Sequence, residues 1–336
     1  MSCTRYVAIV IALYLPLAAC GIEASSDEPI DESELDDNLE EADATLAEEE
    51  ADATLPEVDT ELGGDEDYLE EADAAPAASS MTYATANIGR DYGQRTQKME
   101  SAISNIGRVV GRKSGPKFIG WQEIAELDDC GDDCEIDAIQ KRFKPENGWE
   151  TNRPLGRRPD GHWELVKVPI TSEGANDNSS TRAVFASPGW GGVSFTRFIT
   201  IARYPSRNVT VLNTHFIFGA WTCERGALRR DYKKRRDYWF RAWNTLKDVV
   251  ANEHDKEHNV IVTGDLNRPP ERTRCNKPWF PTSLHGRSRV VGGKGIDYIF
   301  AVPAKGQRFA ISGQGSIGLH IDNHKAHWVT GRFVER

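Results

Sequence analysis

Length, composition and charge restrict the class of this protein before any motif is considered. The 336 residues include 41 Lys plus Arg and 52 Asp plus Glu, a formal net charge of −11. Residues 21–80 contain 24 of the acidic residues and no basic residue, so residues 81–336 keep 40 basic and 28 acidic residues, a formal net charge of +12. This division of charge excludes a single acidic globular domain. They predict a basic domain that is large enough for one core and favours polyanions such as nucleic acid or anionic lipid headgroups.

The first 20 residues have the pattern of a secretory signal, with Arg5, an apolar stretch over 7–15 and Leu-Ala-Ala-Cys at 17–20. The last four residues resemble a bacterial lipobox, which implies cleavage before Cys20 and lipidation of its thiol. An ordinary signal peptide with a nearby cysteine is the alternative. Because Gly21 rather than Asp follows the cysteine, we expect an exported protein whose lipid anchor lies in the cell envelope, in the outer membrane if the cell is Gram-negative.

The acidic segment 21–80 differs in composition from the rest of the chain. It repeats EEADATL at 40–46 and 49–55, and EEADAA follows at 70–75. Such a segment repels itself and has little apolar surface to bury, so we predict a disordered, extended tether. A cation-binding or self-masking segment is the alternative.

The remaining chain, 81–336, is predicted to be one domain of strands and helices. Apolar and β-branched runs bounded by Gly, Pro, Asn and Ser predict strands at 82–89, 116–124, 163–170, 181–188, 193–204, 208–216, 259–267, 287–292, 295–303, 308–313 and 326–334. Periodic apolar positions predict helices at about 95–110, 135–143 and 224–251. Hairpin-like runs mixed with a few helices suggest packed sheets with helices outside.

Several predicted strands end in polar side chains. The ends read TANIG at Asn87, GWQE at Glu123, NTH at 213–215, GDLN at 264–267 and GIDYIF around Asp297, and IDNH at 321–324 precedes the last strand. Asp265 and Asn267 are two residues apart, so both point to the same side of their strand. Each motif alone also fits a turn cap or a buried histidine, but six such ends in one chain indicate a shared site.

In this order, the motifs resemble the endonuclease/exonuclease/phosphatase superfamily, which includes deoxyribonuclease I. The resemblance covers most of 82–334. It implies an α/β fold, a four-layer sandwich of two mixed sheets flanked by helices, and hydrolysis of a phosphoester by water with Mg²⁺, or with Mn²⁺ or Ca²⁺ as alternatives. Hard oxygen ligands of this kind suit Mg²⁺.

The resemblance also implies roles for the residues at the strand ends. Glu123 would bind the metal with Asn87 beside it, while Asp265 and Asn267 would orient water and phosphate, with a second metal at these two residues as an option. His324 would be the general base or its electrostatic partner, with its tautomer fixed by Asp297. His215 would act on the phosphate or leaving group from the other side.

The sequence departs from the family at the last histidine, where the family usually has Asp immediately before it. Here Asn323 occupies that position and Asp322 precedes it. Because Asn is a poorer metal ligand than Asp, either Asp322 reaches the metal through a local bulge or the metal affinity is reduced.

Four cysteines remain after the signal, an even number in an oxidising compartment. Cys130 and Cys134 are close enough in sequence to pair locally. Cys223 and Cys275 each lie eight residues after a predicted site residue, so a disulfide between them would join loops at one rim. In the chain-entropy model, closing that loop would stabilise the folded state by about 4 kcal/mol. A zinc site is a weaker alternative.

The basic run in the long helix suggests the substrate. Cations cluster after the His215 motif and after Asn267, and the residues proposed to bind substrate phosphate are Arg229, Arg230, Lys233, Arg236 and Arg268. A solvated helix face would also explain the run. The sequence thus predicts a monomeric, surface-anchored nuclease acting on DNA or RNA, with no protein partner inferred. The alternatives are a sphingomyelinase-like phospholipid phosphodiesterase and a non-catalytic polyanion-binding lipoprotein.

Overall fold

A computed structural model of the chain defines the fold of the basic domain. It describes residues 80–89, 97–124, 135–174, 180–189, 195–221, 232–269, 284–286, 288–319 and 324–336. Several predicted features lie outside the described residues: the signal, the acidic segment, Cys20, Cys130, Cys134, Cys223, Cys275, Arg229, Arg230, Asp322 and Asn323. Those features remain predictions.

The described residues form the predicted strands and helices in the predicted order, together with two short strands at 149–152 and 155–157 that the sequence did not predict. The strands are β1 Met81–Asn87, β2 Lys117–Gln122, β3 Trp149–Asn152, β4 Leu155–Arg157, β5 Trp163–Leu165, β6 Ile170–Glu173, β7 Ser180–Ser187, β8 Arg197–Tyr204, β9 Val209–His215, β10 Asn259–Asp265, β11 Arg289–Lys294, β12 Asp297–Val302, β13 Gln307–Gly318 and β14 Lys325–Glu335. The helices are α1 Gln97–Val110, α2 Glu135–Arg142 and α3 Tyr232–His254. None of these three helices combines the length and apolar character that a bilayer span needs.

Two six-stranded sheets pack face to face and are covered by helices. The strand orders are β13-β14-β1-β2-β6-β3 and β11-β12-β10-β9-β8-β7. One apolar core joins the sheets, a second packs α1 and α2 on the first sheet, and a third packs α3 on the second sheet. Trp239, Trp243, Leu246 and Val250, which are among the periodic apolar positions of the helix predicted at 224–251, are all buried there. The predicted four-layer α/β sandwich is therefore confirmed.

Each sheet contains one parallel pair within otherwise antiparallel pairing among the described strands. β1 pairs with β2 in parallel, with Asn87 opposite Gln122, and β9 pairs with β10 in parallel, with His215 opposite Asp265. Because parallel strands end on the same side of a sheet, each pair delivers its polar ends together.

A buried polar network joins the two sheets beneath these strand ends. Gln122 Nε2 donates to Asn213 Oδ1 at 2.6 Å, and Thr263 Oγ1 donates to the same oxygen at 3.1 Å. The Asn213 amide in turn donates to two main-chain carbonyls at 2.8 and 3.0 Å. Gly120 permits this approach, since a Cβ there would lie 2.2 Å from Thr263 Oγ1.

One predicted strand differs from the structure. Residues 163–170 were expected to form one strand, but β5 ends at Leu165 and β6 begins at Ile170. Pro169 lies between them and has no backbone N–H for a sheet ladder. β5 instead forms a separate two-stranded hairpin with β4, whereas β6 pairs with β2 and β3.

Candidate active site

Sharp backbone turns direct two site residues away from their strands. Glu123 follows β2 with φ 62°, and Asn267 lies two residues beyond the end of β10 with φ 51°. Non-glycine residues rarely adopt this left-handed conformation, which costs about 1–3 kcal/mol and is found disproportionately at functional sites. The Asn267 turn is supported locally, because its main-chain N–H donates to Asp265 Oδ1 at 2.7 Å.

Asn87 connects the carboxylates contributed by the two sheets. Its Nδ2 donates to Asp265 Oδ2 at 2.9 Å and to Glu123 Oε1 at 3.3 Å. Its Oδ1 accepts a hydrogen bond from the main-chain N–H of Gly89 at 3.0 Å. The amide therefore has both ends fixed, and it holds a first-sheet carboxylate and a second-sheet carboxylate at the same place.

His215 lies between these carboxylates and a buried arginine. Its Nε2 is 3.5 Å from Glu123 Oε1 and 3.7 Å from Asp265 Oδ2. The amide Nδ2 of Asn267 lies 3.0 Å from the same ring nitrogen and also donates to the Phe216 carbonyl at 3.0 Å. On the other side of the ring, Arg197 Nη1 lies 3.0 Å from Nδ1.

Asp297 and His324 complete the opposite side of the site. Asp297 Oδ2 accepts a hydrogen bond from His324 Nδ1 at 3.1 Å, and Asp297 pairs across the sheet with Asp265. Ligand atoms of Asp265, Asp297 and His324 all lie within 4.8 Å of one another. The buried Asp297 Oδ1 accepts no hydrogen bond from the part of the chain that the structure describes.

The adjacent charges shift the protonation of this group. Burial and the neighbouring Asp297 carboxylate raise the pKa of Asp265 to about 8. Burial alone would lower the pKa of His324, but the hydrogen bond that His324 donates to Asp297 and the charges of Asp265, Asp297 and Glu123 raise this pKa to about 9. Asp265 and His324 thus both hold protons more tightly than usual, which a bound cation would oppose.

The opposite shift applies to His215. Burial, together with the positive charges of Arg197 and His324, lowers the pKa of His215 well below its usual value. The two histidines of the site therefore differ in charge at neutral pH, with His215 neutral and His324 protonated.

The donor set fits a hard divalent cation. The cluster supplies two buried carboxylates, one of which has an oxygen without a hydrogen-bond partner among the described residues, and the Glu123 carboxylate lies beside the same Asn87 amide. Oxygen-rich sites of this kind suit Mg²⁺, Mn²⁺ or Ca²⁺. Sequence reasoning assigned the metal to Glu123, Asn87, Asp322 and Asn323, of which the last two lie outside the described residues. It also allowed a second metal at Asp265 and Asn267, and the geometry adds Asp297 as a candidate ligand.

The predicted phosphate-binding cations take different positions. Lys233 is exposed near the start of α3, and the half-buried Arg236 packs on Trp221 with its guanidinium carbon 4.4 Å from the ring centroid. Arg268 is buried and lies on the same ring at 3.8 Å. Trp221 therefore contacts two guanidinium groups beside the Asn267 turn.

The structure brings together the described residues to which the sequence assigned catalytic or metal-binding roles, and it places two further residues beside them, Arg197 on His215 and Trp221 on Arg268. Glu123, His215, Asp265, Asn267, Asp297 and His324 are joined by the contacts given above. Arg197 and Trp221 were missed. An arginine directly before the run FITIA at 198–202 was the available signal for Arg197.

Comparisons with known proteins address the fold. No family model and no curated protein sequence matches the chain. An endonuclease/exonuclease/phosphatase from Beutenbergia cavernae is similar in structure, with 12% identity, a TM-score of 0.50, and coverage of 75% of this chain and 71% of that chain. A protein of the same family from Bacteroides thetaiotaomicron gives 13% identity, a TM-score of 0.47, and coverage of 75% and 95%. Beta toxin from Staphylococcus aureus gives 12% identity, a TM-score of 0.44, and coverage of 76% and 99%.

These identities are too low for function to be transferred, so the likeness concerns the fold. The resemblance that the sequence motifs suggested is confirmed at that level, because two mixed sheets, outer helices and polar ends on parallel strands occur together. The chain therefore has the deoxyribonuclease I-like fold of endonuclease/exonuclease/phosphatase proteins.

Proposed function

We propose that this protein is a metal-dependent phosphodiesterase that hydrolyses nucleic acid outside the cell, where Cys20 anchors it to the envelope. The supporting observation is the convergence of Glu123, His215, Asp265 and the Asp297–His324 pair, which come from both sheets. A structural polar cluster would not need three carboxylates at this density. Their mutual repulsion is a cost that a bound divalent cation would offset.

The site residues divide the work of hydrolysis by their charge. Glu123, Asp265 and Asp297 would hold the divalent cation, which when bound supplies positive charge against the phosphate and the leaving oxygen. Asn87 holds Glu123 and Asp265 together through its two hydrogen bonds. Asn267 and neutral His215 face the same space and orient the phosphate and water.

His324 is the residue we assign to proton transfer. Its Nδ1 is held by Asp297 at 3.1 Å, which leaves Nε2 for the reacting groups. As an imidazolium, His324 donates a proton towards the phosphate or the leaving group. As a neutral imidazole, it accepts a proton from the attacking water.

Surface charge supports nucleic acid as the substrate. Residues 81–336 have a formal net charge of +12, and exposed Lys233 and Lys234 occupy the first turn of α3. Cations near a helix N-terminus do not stabilise the helix, so helix stability does not explain this run. Contact with phosphate backbones would explain the run, and it predicts that activity falls steeply as the salt concentration rises.

An exposed hairpin favours a second candidate, a phospholipid phosphodiesterase. Trp163 of β5 is 62% exposed and Leu155 of β4 is 55% exposed. Such apolar side chains could enter a lipid interface, although Trp163 beside Arg157 is equally suited to stack on a base. Nucleic acid remains the first candidate because of the charge.

An assay of the full-length protein distinguishes these functions. The protein is incubated with plasmid DNA, RNA or sphingomyelin vesicles, in each case with Mg²⁺ or with EDTA. We expect Mg²⁺-dependent cleavage of nucleic acid that falls about 10²–10⁴-fold in His324→Gln. His258→Gln, at a half-exposed histidine beyond the end of α3, is the control and should retain activity. Release of choline phosphate alone would support the second candidate, and binding without turnover of any substrate would refute both hydrolases.

A further inference from the structure

Arg197 is a buried cation that contacts a histidine of the site. Arg197 is the first residue of β8 and lies beside the end of β9. Its Nη1 is 3.0 Å from Nδ1 of His215. Both residues are nearly inaccessible to solvent, at 5% and 4% exposure. Water therefore does not compete for this contact, and the geometry fixes which ring nitrogen faces the guanidinium.

The chemistry of the two groups then determines where the imidazole carries its proton. A guanidinium has only donors and keeps its charge in proteins, so it cannot accept a hydrogen bond. His215 Nδ1 must accept from Arg197 and cannot itself carry a hydrogen. In the neutral ring the single N–H is therefore on Nε2.

A second donor competes for the same ring. Nδ2 of Asn267 lies 3.0 Å from Nε2 of His215. A neutral imidazole has one lone pair available for a hydrogen bond, so it can satisfy Arg197 or Asn267, but not both. The contact with the charged donor is the stronger of the two, since charge-assisted hydrogen bonds are about twice as strong as neutral ones.

We propose that Arg197 is a positioning residue that holds His215 as the Nε2–H tautomer. In this form the ring presents a hydrogen-bond donor to the space between Glu123 Oε1, at 3.5 Å, and Asp265 Oδ2, at 3.7 Å. Asn267 then keeps its hydrogen bond to the Phe216 carbonyl and only contacts the ring.

The consequence for catalysis rests on the proposed function. With its N–H directed into the site, His215 donates to a phosphate oxygen and leaves proton abstraction to His324. Without Arg197, the lone pair of Nε2 would turn to Asn267, and the ring would present an acceptor to an anionic phosphate. The tautomer therefore determines whether His215 attracts or repels the substrate.

Long-range ¹H–¹⁵N correlation spectra of the full-length protein, labelled at histidine, test the tautomer directly. The His215 signals are those absent from His215→Asn. We expect a pyridine-like shift at Nδ1 and a pyrrole-like shift at Nε2. In Arg197→Met, which has similar length and no donor, we expect the two assignments to exchange. Arg197→Lys retains a donor and should keep the original pattern. A native His215 protonated at Nδ1, or an unchanged tautomer in Arg197→Met, would overturn the proposal.

A second readout covers the case in which Arg197→Met does not fold, because the native spectrum and Arg197→Lys still decide the tautomer. In a folded Arg197→Met protein, the rate constant kcat for the phosphodiester should fall about 10²-fold, as when one donor to a developing charge is removed. Arg197→Lys should recover part of this loss. Arg203→Lys, a change on the same strand at an arginine that pairs with Glu253, is the control for both readouts.

The two proposals fail in different ways. If no phosphodiester is cleaved but the tautomer exchanges as expected, the proposed function is wrong and the role of Arg197 stands. If cleavage occurs and the His215 tautomer does not depend on Arg197, the positioning role is wrong and the hydrolase stands.

Discussion

Asp297 holds His324 through one carboxylate oxygen, at 3.1 Å, while its other oxygen is buried and accepts no hydrogen bond from the described residues. A fully buried carboxylate oxygen in this state is costly unless another group supplies positive charge. The Asp297–His324 pair therefore links the charge of the histidine to occupation of the cation site. The protonation of His324 should change when a cation binds.

Replacing Asp297 with Asn should lower the pKa of His324 from its value of about 9, because a hydrogen-bonded negative charge is lost. Titration of the His324 ring by NMR in EDTA measures this change. Asp248→Asn, at an exposed residue of α3, is the control and should leave the His324 titration unchanged. Identical His324 titrations in the native protein and in Asp297→Asn would contradict the assignment.

The raised pKa of His324 also makes folding stability depend on pH. Native His324 keeps its proton above the unfolded value of 6.5, so its contribution is complete below about pH 6.5 and is lost as pH rises through about 9. One proton gives a slope of at most about 1.4 kcal/mol per pH unit. Urea unfolding in EDTA should show this decrease, and the slope should be smaller in Asp297→Asn.

Divalent cations should stabilise the protein more at high pH than at low pH. Asp265, with a pKa of about 8, must lose its proton before its carboxylate can bind a cation. We expect Mg²⁺ or Mn²⁺ to raise the unfolding temperature Tm more at about pH 8.5 than at about pH 6. The shift should disappear in Asp265→Asn and remain in Asp248→Asn, at an exposed residue of α3. An equal shift at both pH values would exclude Asp265 as a ligand.

Glu123 should reduce stability through its backbone conformation. With φ 62°, any side chain with a Cβ is strained at this position, whereas glycine is not. Glu123→Gly should therefore be more stable than Glu123→Ala by about 1 kcal/mol in urea unfolding, although both lose the carboxylate. The comparison pair at Glu150, within the extended strand β3, should show the opposite order. The same order at both positions would show that Glu123 is not strained.

Gly120 should be essential for the distance between the two sheets. An added Cβ would lie 2.2 Å from Thr263 Oγ1 and 2.5 Å from Asn213 Oδ1. We expect Gly120→Ala to lose about 1–3 kcal/mol of unfolding free energy through overpacking. Gly318→Ala, in β13, is the matched control because an added Cβ there has no neighbour within 4 Å. Equal stabilities of the two variants would mean that the network tolerates a wider gap.

The sequence predicted most of the fold and the site because both follow local patterns. Strand periodicity located β1, β2, β9 and β10, and polar residues at their ends were visible as interruptions of apolar runs. Asn213 shows where this reasoning stops. It lies two residues before His215, yet its side chain bonds across to the first sheet rather than lining the site.

Contacts between distant residues could not be predicted in this way. Arg197 meets His215, and Trp221 meets Arg268, only because the sheets and loops place them together. The split of 163–170 likewise depends on which strands are available to pair, since β5 and β6 have different partners. Periodicity describes faces of one strand and carries no information about neighbours.

The two parallel strand pairs have a consequence for the proposed activity. Neither sheet carries a complete set of the candidate groups, because the first provides Asn87 and Glu123 and the second provides His215, Asp265 and Asp297. The proposed hydrolysis thus depends on the alignment of the two sheets and not on either sheet alone. A shift of one sheet against the other would abolish it while the strands and helices remain intact.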